Sequence, residues 1–157
     1  MALPSNAFIL DAPSGFGRNS VALADRGYDV VAVDKDMGRL GSLENSKTGS
    51  LRPGSIHSVR VDLTNRLPFN DLTFTAIACI HYPVQTALAE FHRTLQSGGV
   101  LYIETFGGQG GNYLQLPKAG EVREFLQGYK FDLYQERPVG PITCDAVALT
   151  LLARKAL

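Results

Sequence analysis

The chain has no charge excess of either sign: 15 basic side chains balance 15 acidic ones over 157 residues. A domain that holds nucleic acid by neutralising phosphates carries a basic surplus, so neither DNA nor RNA is an expected partner. Long hydrophobic runs are also missing. The longest, Ala76–Ile80 and Ala146–Ala153, fall well short of the roughly 20 residues a spanning helix needs, and no membrane partner is expected. Met1–Asp11 has neither a basic start nor a signal-peptide apolar segment, which points to a cytoplasmic location. Cysteine is scarce: Cys79 and Cys144, with no Cys-x-x-Cys pair and no Cys/His cluster. That excludes structural zinc; no metal site is expected, and both cysteines read as small buried hydrophobes. There is no internal repeat and no low-complexity segment.

What is present is an ordinary globular composition, 45% hydrophobic, on a length that suits one domain over residues 1–157. Gly and Pro divide the chain into alternating pieces. Strands are expected at Ala7–Asp11, Asp29–Asp34, Ile56–Asp62, Phe74–His81, Val100–Phe106, Tyr129–Glu136 and Cys144–Arg154. Helices are expected at Arg18–Arg26, at Lys35–Glu44, from Pro83 to the Gly98-Gly99 pair, and at Lys118–Leu126. Asn45–Gly54 reads as a polar loop and Leu63–Thr73 as a link without helical period. Strands that are continuous apolar runs, alternating with helices, indicate a doubly wound α/β fold with a mostly parallel sheet. The last two strands suit an antiparallel hairpin at one edge.

In such sheets ligands bind beyond the carboxyl ends of the strands. The first three expected strands all end in a carboxylate: Asp11, Asp34 and Asp62. After the first comes Pro13-Ser14-Gly15-Phe16-Gly17. Gly15 and Gly17 lack side chains where a ligand must approach backbone, and the helix start that follows offers N–H groups. Asp34 is placed for a ribose diol, Asp62 for the exocyclic amine of a purine, and Asp11 for a cationic group. The combination describes an adenosine ligand with a positive appendage. Arg18 reads as a solvent-facing first-turn residue, and His57 and His92 carry no assigned role.

The stretch Ile9–Asp34 (ILDAPSGFGRNSVALADRGYDVVAVD) resembles the first two motifs of class I S-adenosylmethionine-dependent methyltransferases. Val61-Asp62-Leu63, the run from Leu67-Pro68-Phe69 into Phe74–Ile77, and Leu95–Phe106 (LQSGGVLYIETF) extend the similarity over nearly the whole chain. Gly111-Asn112-Tyr113-Leu114 and Leu151–Lys155 look like the small tellurite-resistance branch. The resemblance implies a Rossmann-like methyltransferase fold with a seven-stranded sheet in the order 3-2-1-4-5-7-6. It implies S-adenosyl-L-methionine as the cofactor, with donor contacts at Asp11, Pro13, Gly15, Gly17, Asp34, Lys35, Asp62, Leu63 and Ile80. His81 and Tyr82, after the fourth strand, would line the transfer site, with His81 as a proton acceptor. Tyr113 either gates the substrate or packs on the sheet edge. Pro13 stands where the family commonly has glycine, which implies a slightly altered turn. With strand order 3-2-1-4-5-7-6, Cys79 and Cys144 lie two strands apart, about 9.6 Å, beyond disulfide reach.

Two pieces of the family pattern are missing. Six residues precede the first strand, so the N-terminal lid helix is not expected, and the Leu63–Thr73 link lacks the usual helix. Eleven extended residues reach about 36 Å, enough to cross the sheet. An apolar face left open in this way calls for a second subunit, so a homodimer is expected. The acceptor is expected to be a small molecule. Two alternatives stand beside this reading: a non-catalytic donor-binding or partner protein, and a NAD-binding oxidoreductase module suggested by Gly15-x-Gly17. Ser20 at the third small position and the acid at Asp11 count against the latter.

Overall fold

Continuous apolar strands need cover on both faces, and the fold supplies it unevenly. The computed structural model describes residues 3–44 and 54–157. One sheet is built from β1 (Phe8–Asp11), β2 (Asp29–Asp34), β3 (Ile56–Arg60), β4 (Phe74–Ile80), β5 (Leu95–Glu104), β6 (Lys130–Pro138) and β7 (Val147–Arg154). Their order is β3-β2-β1-β4-β5-β7-β6, as expected. β1 to β5 run parallel, and β7 is antiparallel to both β5 and β6. The carboxyl ends of β1 to β6 therefore share one rim. The helices are α1 (Arg18–Ala24), α2 (Met37–Glu44), α3 (Leu88–Thr94) and α4 (Glu121–Phe125). The loop expected over Asn45–Gly54 lies almost entirely outside the described residues. No described helix is long and apolar enough to cross a membrane.

One sheet face carries the main core. Leu10, Val33, Ile77, Leu101 and Leu151 pack there against Phe91 and Leu95 near α3, and against Val122 and Leu126 near α4. On the other face, α1 and α2 cover the β3 side: Ala32 packs with Leu40 and Leu43, and Ile9 with Leu23. Beyond α1, the side chains of Ala78, Ile80, Tyr102 and Leu152 line an open apolar pocket of about 360 Å³.

Several boundaries differ from the expectation, each for a tertiary reason. The helix after Pro83 begins as a 3₁₀ turn at Val84–Ala87 and stops at Thr94 rather than at Gly98-Gly99. The Thr94 hydroxyl donates back to the Glu90 carbonyl at 2.7 Å, and Leu95 turns extended to pair with Phe74. The two glycines fall inside an irregular β5, whose register against β4 shifts between Phe74 and Ala76. α4 is shorter than expected because Lys118 bridges to Ala146 as an extended residue. β5 ends at Glu104, two residues before the expected end. β7 starts at Val147, so Cys144 lies off the sheet; it is half-buried, Cys79 is buried, and both are free thiols.

The Leu63–Thr73 crossover has no helix, as read. Arg93 holds it instead. Its guanidinium donates to the Phe69 carbonyl at 2.8 Å and the Leu67 carbonyl at 3.1 Å, and meets Asp71 at 2.7 Å. Glu90 grips the same guanidinium through both oxygens, at 3.1 and 2.6 Å, and accepts the Leu67 N–H at 2.8 Å. The Arg93 hydrogen bonds hold the Glu90 carboxyl below its usual range. Arg93→Met strands two loop carbonyls and a half-buried carboxylate, and is expected to cost about 3 kcal/mol in urea denaturation. Arg93→Lys keeps the charge without the planar fork and should recover less than half of that.

Candidate functional site

The rim holds the polar side chains that the strands deliver. A cleft of about 230 Å³ is lined by Pro13, Asp34, Lys35, Arg39, Val61, Asp62, Leu63, Thr64, His81 and Tyr82. Of the sequence-predicted residues, Pro13, Asp34, Lys35, Asp62, Leu63, His81 and Tyr82 meet there. Gly15 and Gly17 form the adjoining turn, and Asp11 is buried at the end of β1. Ile80 does not join them. Side chains alternate along a strand, and Ile80 faces the open apolar pocket instead.

Asp34 organises the turn. Its carboxylate is 2% exposed and accepts the Gly15 N–H at 3.0 Å on one oxygen and the Asp36 N–H at 2.9 Å on the other. Arg39 approaches it at 3.8 Å. A carboxylate offers about four acceptor directions, so each oxygen retains one for a ligand. Asp36, not Asp34, caps α2, accepting the Gly38 N–H at 2.8 Å.

The turn's N–H groups are not all available to a ligand. The Ser14 N–H goes to the Val33 carbonyl at 2.7 Å and the Gly17 N–H to the Ser14 carbonyl at 2.9 Å. The Ala12–Pro13 peptide is cis, and Pro13 keeps a place in the cleft wall. Gly15, at φ +56°, would point a Cβ into open space, which leaves room for close approach. Gly17 serves packing: at φ +79° its missing Cβ is replaced by the Leu43 side chain of α2.

Asp62 sits in an Asx turn, its Oδ1 accepting the Thr64 N–H at 3.0 Å and hydroxyl at 2.8 Å. Those two bonds hold its carboxyl below the ordinary range. Asp11 is in the opposite state. It is fully buried, its Oδ2 accepts the Ser20 hydroxyl at 2.5 Å, and its Oδ1 has no partner. Burial outweighs the Ser20 bonds and raises its pKa to about 6. The Ser14 hydroxyl is also buried without a partner.

His81 follows β4 with φ +57°, a conformation uncommon outside glycine. Its N–H donates to the Glu104 carbonyl at 2.6 Å, and its Nε2 lies 3.6 Å from Glu104 Oε1. Tyr102 donates to the other Glu104 oxygen at 2.8 Å. His81 lines both the cleft and a second, larger basin of about 690 Å³ whose walls include Glu104, Thr105, Gln135, Arg137 and Thr150. Tyr113 packs across Gly140 beside Leu116 and Val139, a loop-packing role. Sequence reading missed Arg39, Ser20 and Glu104. Glu104 carries the same signal as Asp11 and Asp34, an acid at a strand end, hidden by drawing β5 too long.

A family described as a methyltransferase domain matches residues 10–103. A demethylmenaquinone methyltransferase of Renibacterium salmoninarum is 36% identical over 104 residues, which cover 62% of this chain and 40% of that protein. A SAM-dependent methyltransferase structure from Methanosarcina mazei superposes with a TM-score of 0.74 at 19% identity, covering 99% of this chain and 95% of that one. A TehB-like SAM-dependent methyltransferase from Corynebacterium glutamicum superposes at 0.68 with 21% identity, covering 99% and 83%. The strand order, the acid-ended β1 and β2 and the match over residues 10–103 agree: the chain belongs to the methyltransferase-domain family and carries the class I S-adenosylmethionine-dependent fold.

Proposed function

We propose that the chain binds S-adenosylmethionine in the rim cleft and transfers its methyl group to a small-molecule acceptor. The observation that carries this reading is the buried Asp11 carboxylate with one unpartnered oxygen, at the end of β1 on the rim where Asp34 and Asp62 line a cleft. A buried acceptor without a partner calls for a ligand or an ordered water to complete it. The residues fit the cofactor. Asp34 retains acceptor capacity for a ribose diol, Asp62 stands at the cleft for an adenine amine, and Val61, Leu63 and Pro13 give apolar walls for a purine. When bound, S-adenosylmethionine supplies a methyl group on a positively charged sulfur, already activated toward nucleophiles. The chain's own residues then have little acid–base work; orienting the partners and excluding water supply much of the acceleration. His81, between cleft and basin, is the group to take a proton from an acceptor hydroxyl or amine. The relatives' name makes a quinone one acceptor to assay.

Calorimetry is expected to show S-adenosylmethionine and its demethylated product binding, with no NAD signal. Asp34→Ala should weaken both by about 2 kcal/mol or more, with the far-ultraviolet spectrum kept; unchanged affinity removes Asp34 from the site.

Asp11 gives a pH test. Its pKa of about 6 lies above the ordinary 3.8, so the folded state favours the protonated form. Its contribution to stability is whole below pH 3.8 and is lost as pH rises through 6, about 3 kcal/mol in all. Asp11→Asn is therefore expected to be more stable than wild type at pH 7.5, with the difference vanishing near pH 4, in paired thermal melts. The same variant should bind the cationic donor more weakly at pH 7.5 and lose the rise in affinity between pH 5 and 7.

Self-association belongs to the same reading, because the face formed by Ala78, Ile80, Tyr102 and Leu152 is apolar and open. Light scattering at tens of micromolar is expected to give twice the chain mass; a strictly monomeric mass sinks that part.

A further inference from the structure

The basin beyond His81 has a chemistry of its own. We propose, resting on the methyl-transfer reading above, that it takes a small zwitterionic acceptor, with Glu104 facing the cationic end and Arg137 the anionic end. The sheet register puts the two groups on one floor. Glu104 pairs with Thr150 across β5 and β7, Thr150 pairs with Gln135 across β7 and β6, and Arg137 pairs with Ala148. Paired residues point the same way, and so do residues two apart on a strand. Glu104, Thr150, Gln135 and Arg137 therefore project from the same sheet face into the basin that all four line.

The sheet sets the distance between the two backbone positions. Two strand spacings of about 4.8 Å and two residues of about 3.3 Å separate their Cα atoms by about 12 Å. Both side chains line the basin between those Cα positions, so a small ligand held there is flanked by a carboxylate and a guanidinium. Glu104 is held ready: Tyr102 fixes its Oε2 at 2.8 Å, and Oε1 is turned to the His81 side. Arg137 lies 3.5 Å from the Gly107 carbonyl, a long bond that a carboxylate readily outcompetes. Glu136 also borders the basin, but it is committed to the other face, where its Oε1 accepts the Gly120 N–H at 2.9 Å and the Tyr134 hydroxyl at 2.5 Å. An apolar acceptor would cover Glu104 and Arg137 without pairing them, at the cost of desolvating both.

The test uses calorimetry on the full chain saturated with S-adenosylhomocysteine. The ligands are β-alanine, n-propylamine, propionate and menadione, an apolar quinone. β-Alanine is expected to bind about tenfold or more tighter than either single-charge analogue. Glu104→Gln and Arg137→Met should each remove most of that preference while leaving S-adenosylhomocysteine affinity unchanged. Equal binding of the three small ligands, or tighter binding of menadione that neither substitution alters, overturns the zwitterion assignment and leaves the methyl-transfer reading standing. Failure of S-adenosylhomocysteine to bind the unaltered chain overturns both.

Discussion

The bond from the Gly15 N–H to the Asp34 carboxylate is the constraint on which the rest of the rim depends. It fastens the turn after β1 to the tip of β2 at 3.0 Å. The second oxygen of the same carboxylate takes the Asp36 N–H at 2.9 Å and so sets the direction in which the chain leaves β2. Asp36 then caps α2, and Leu43 of α2 returns to fill the space left by Gly17. One buried acid thus fixes the entry to two helices. It keeps lone pairs to spare because each backbone donor uses a single direction. A ligand that engages Asp34 meets a site already assembled, not one it must order.

A second network does for the far side what a helix does in fuller versions of this fold. Arg93 and Glu90 belong to α3, yet their hydrogen bonds serve the crossover before β4. Loop backbone at a protein surface is normally satisfied by water; here a guanidinium fork takes that place. The effect reaches the cleft, since Val61 and Leu63 line it at the start of the same crossover. Stability and site geometry are coupled through side chains that never face a ligand.

Much of this was legible in the sequence because parallel strands with two buried faces have a strong apolar signature. The strands, the acid-ended β1 and β2, and the helix-free link were readable in this way; the order of the sheet was what the resemblance to the methyltransferase family implied. What failed was decided by contacts between distant residues. Gly98-Gly99 reads as a helix stop, but Leu95 finds Phe74 and leaves the helix first. Gly17 reads as a ligand glycine, and the structure adds a packing need the sequence did not show, the approach of Leu43. Ile80 is next to His81 in sequence, yet it lines the open apolar pocket while His81, beyond the end of β4, lines the cleft and the basin. Glu104 was hidden by a boundary error of two residues. Its neighbours across the sheet, Thr150 and then Gln135, are visible only once β7 is inserted between β5 and β6.

The backbone of His81 carries a further consequence. Its left-handed conformation costs a residue with a Cβ roughly 1–2 kcal/mol, and glycine alone avoids that cost fully. The hydrogen bond made there, to the Glu104 carbonyl, is a main-chain bond that every substitution but proline keeps. Selection for thermal robustness alone would thus drift toward glycine at this position and discard the imidazole between cleft and basin. Histidine at this position is held at a cost to stability that glycine would not carry.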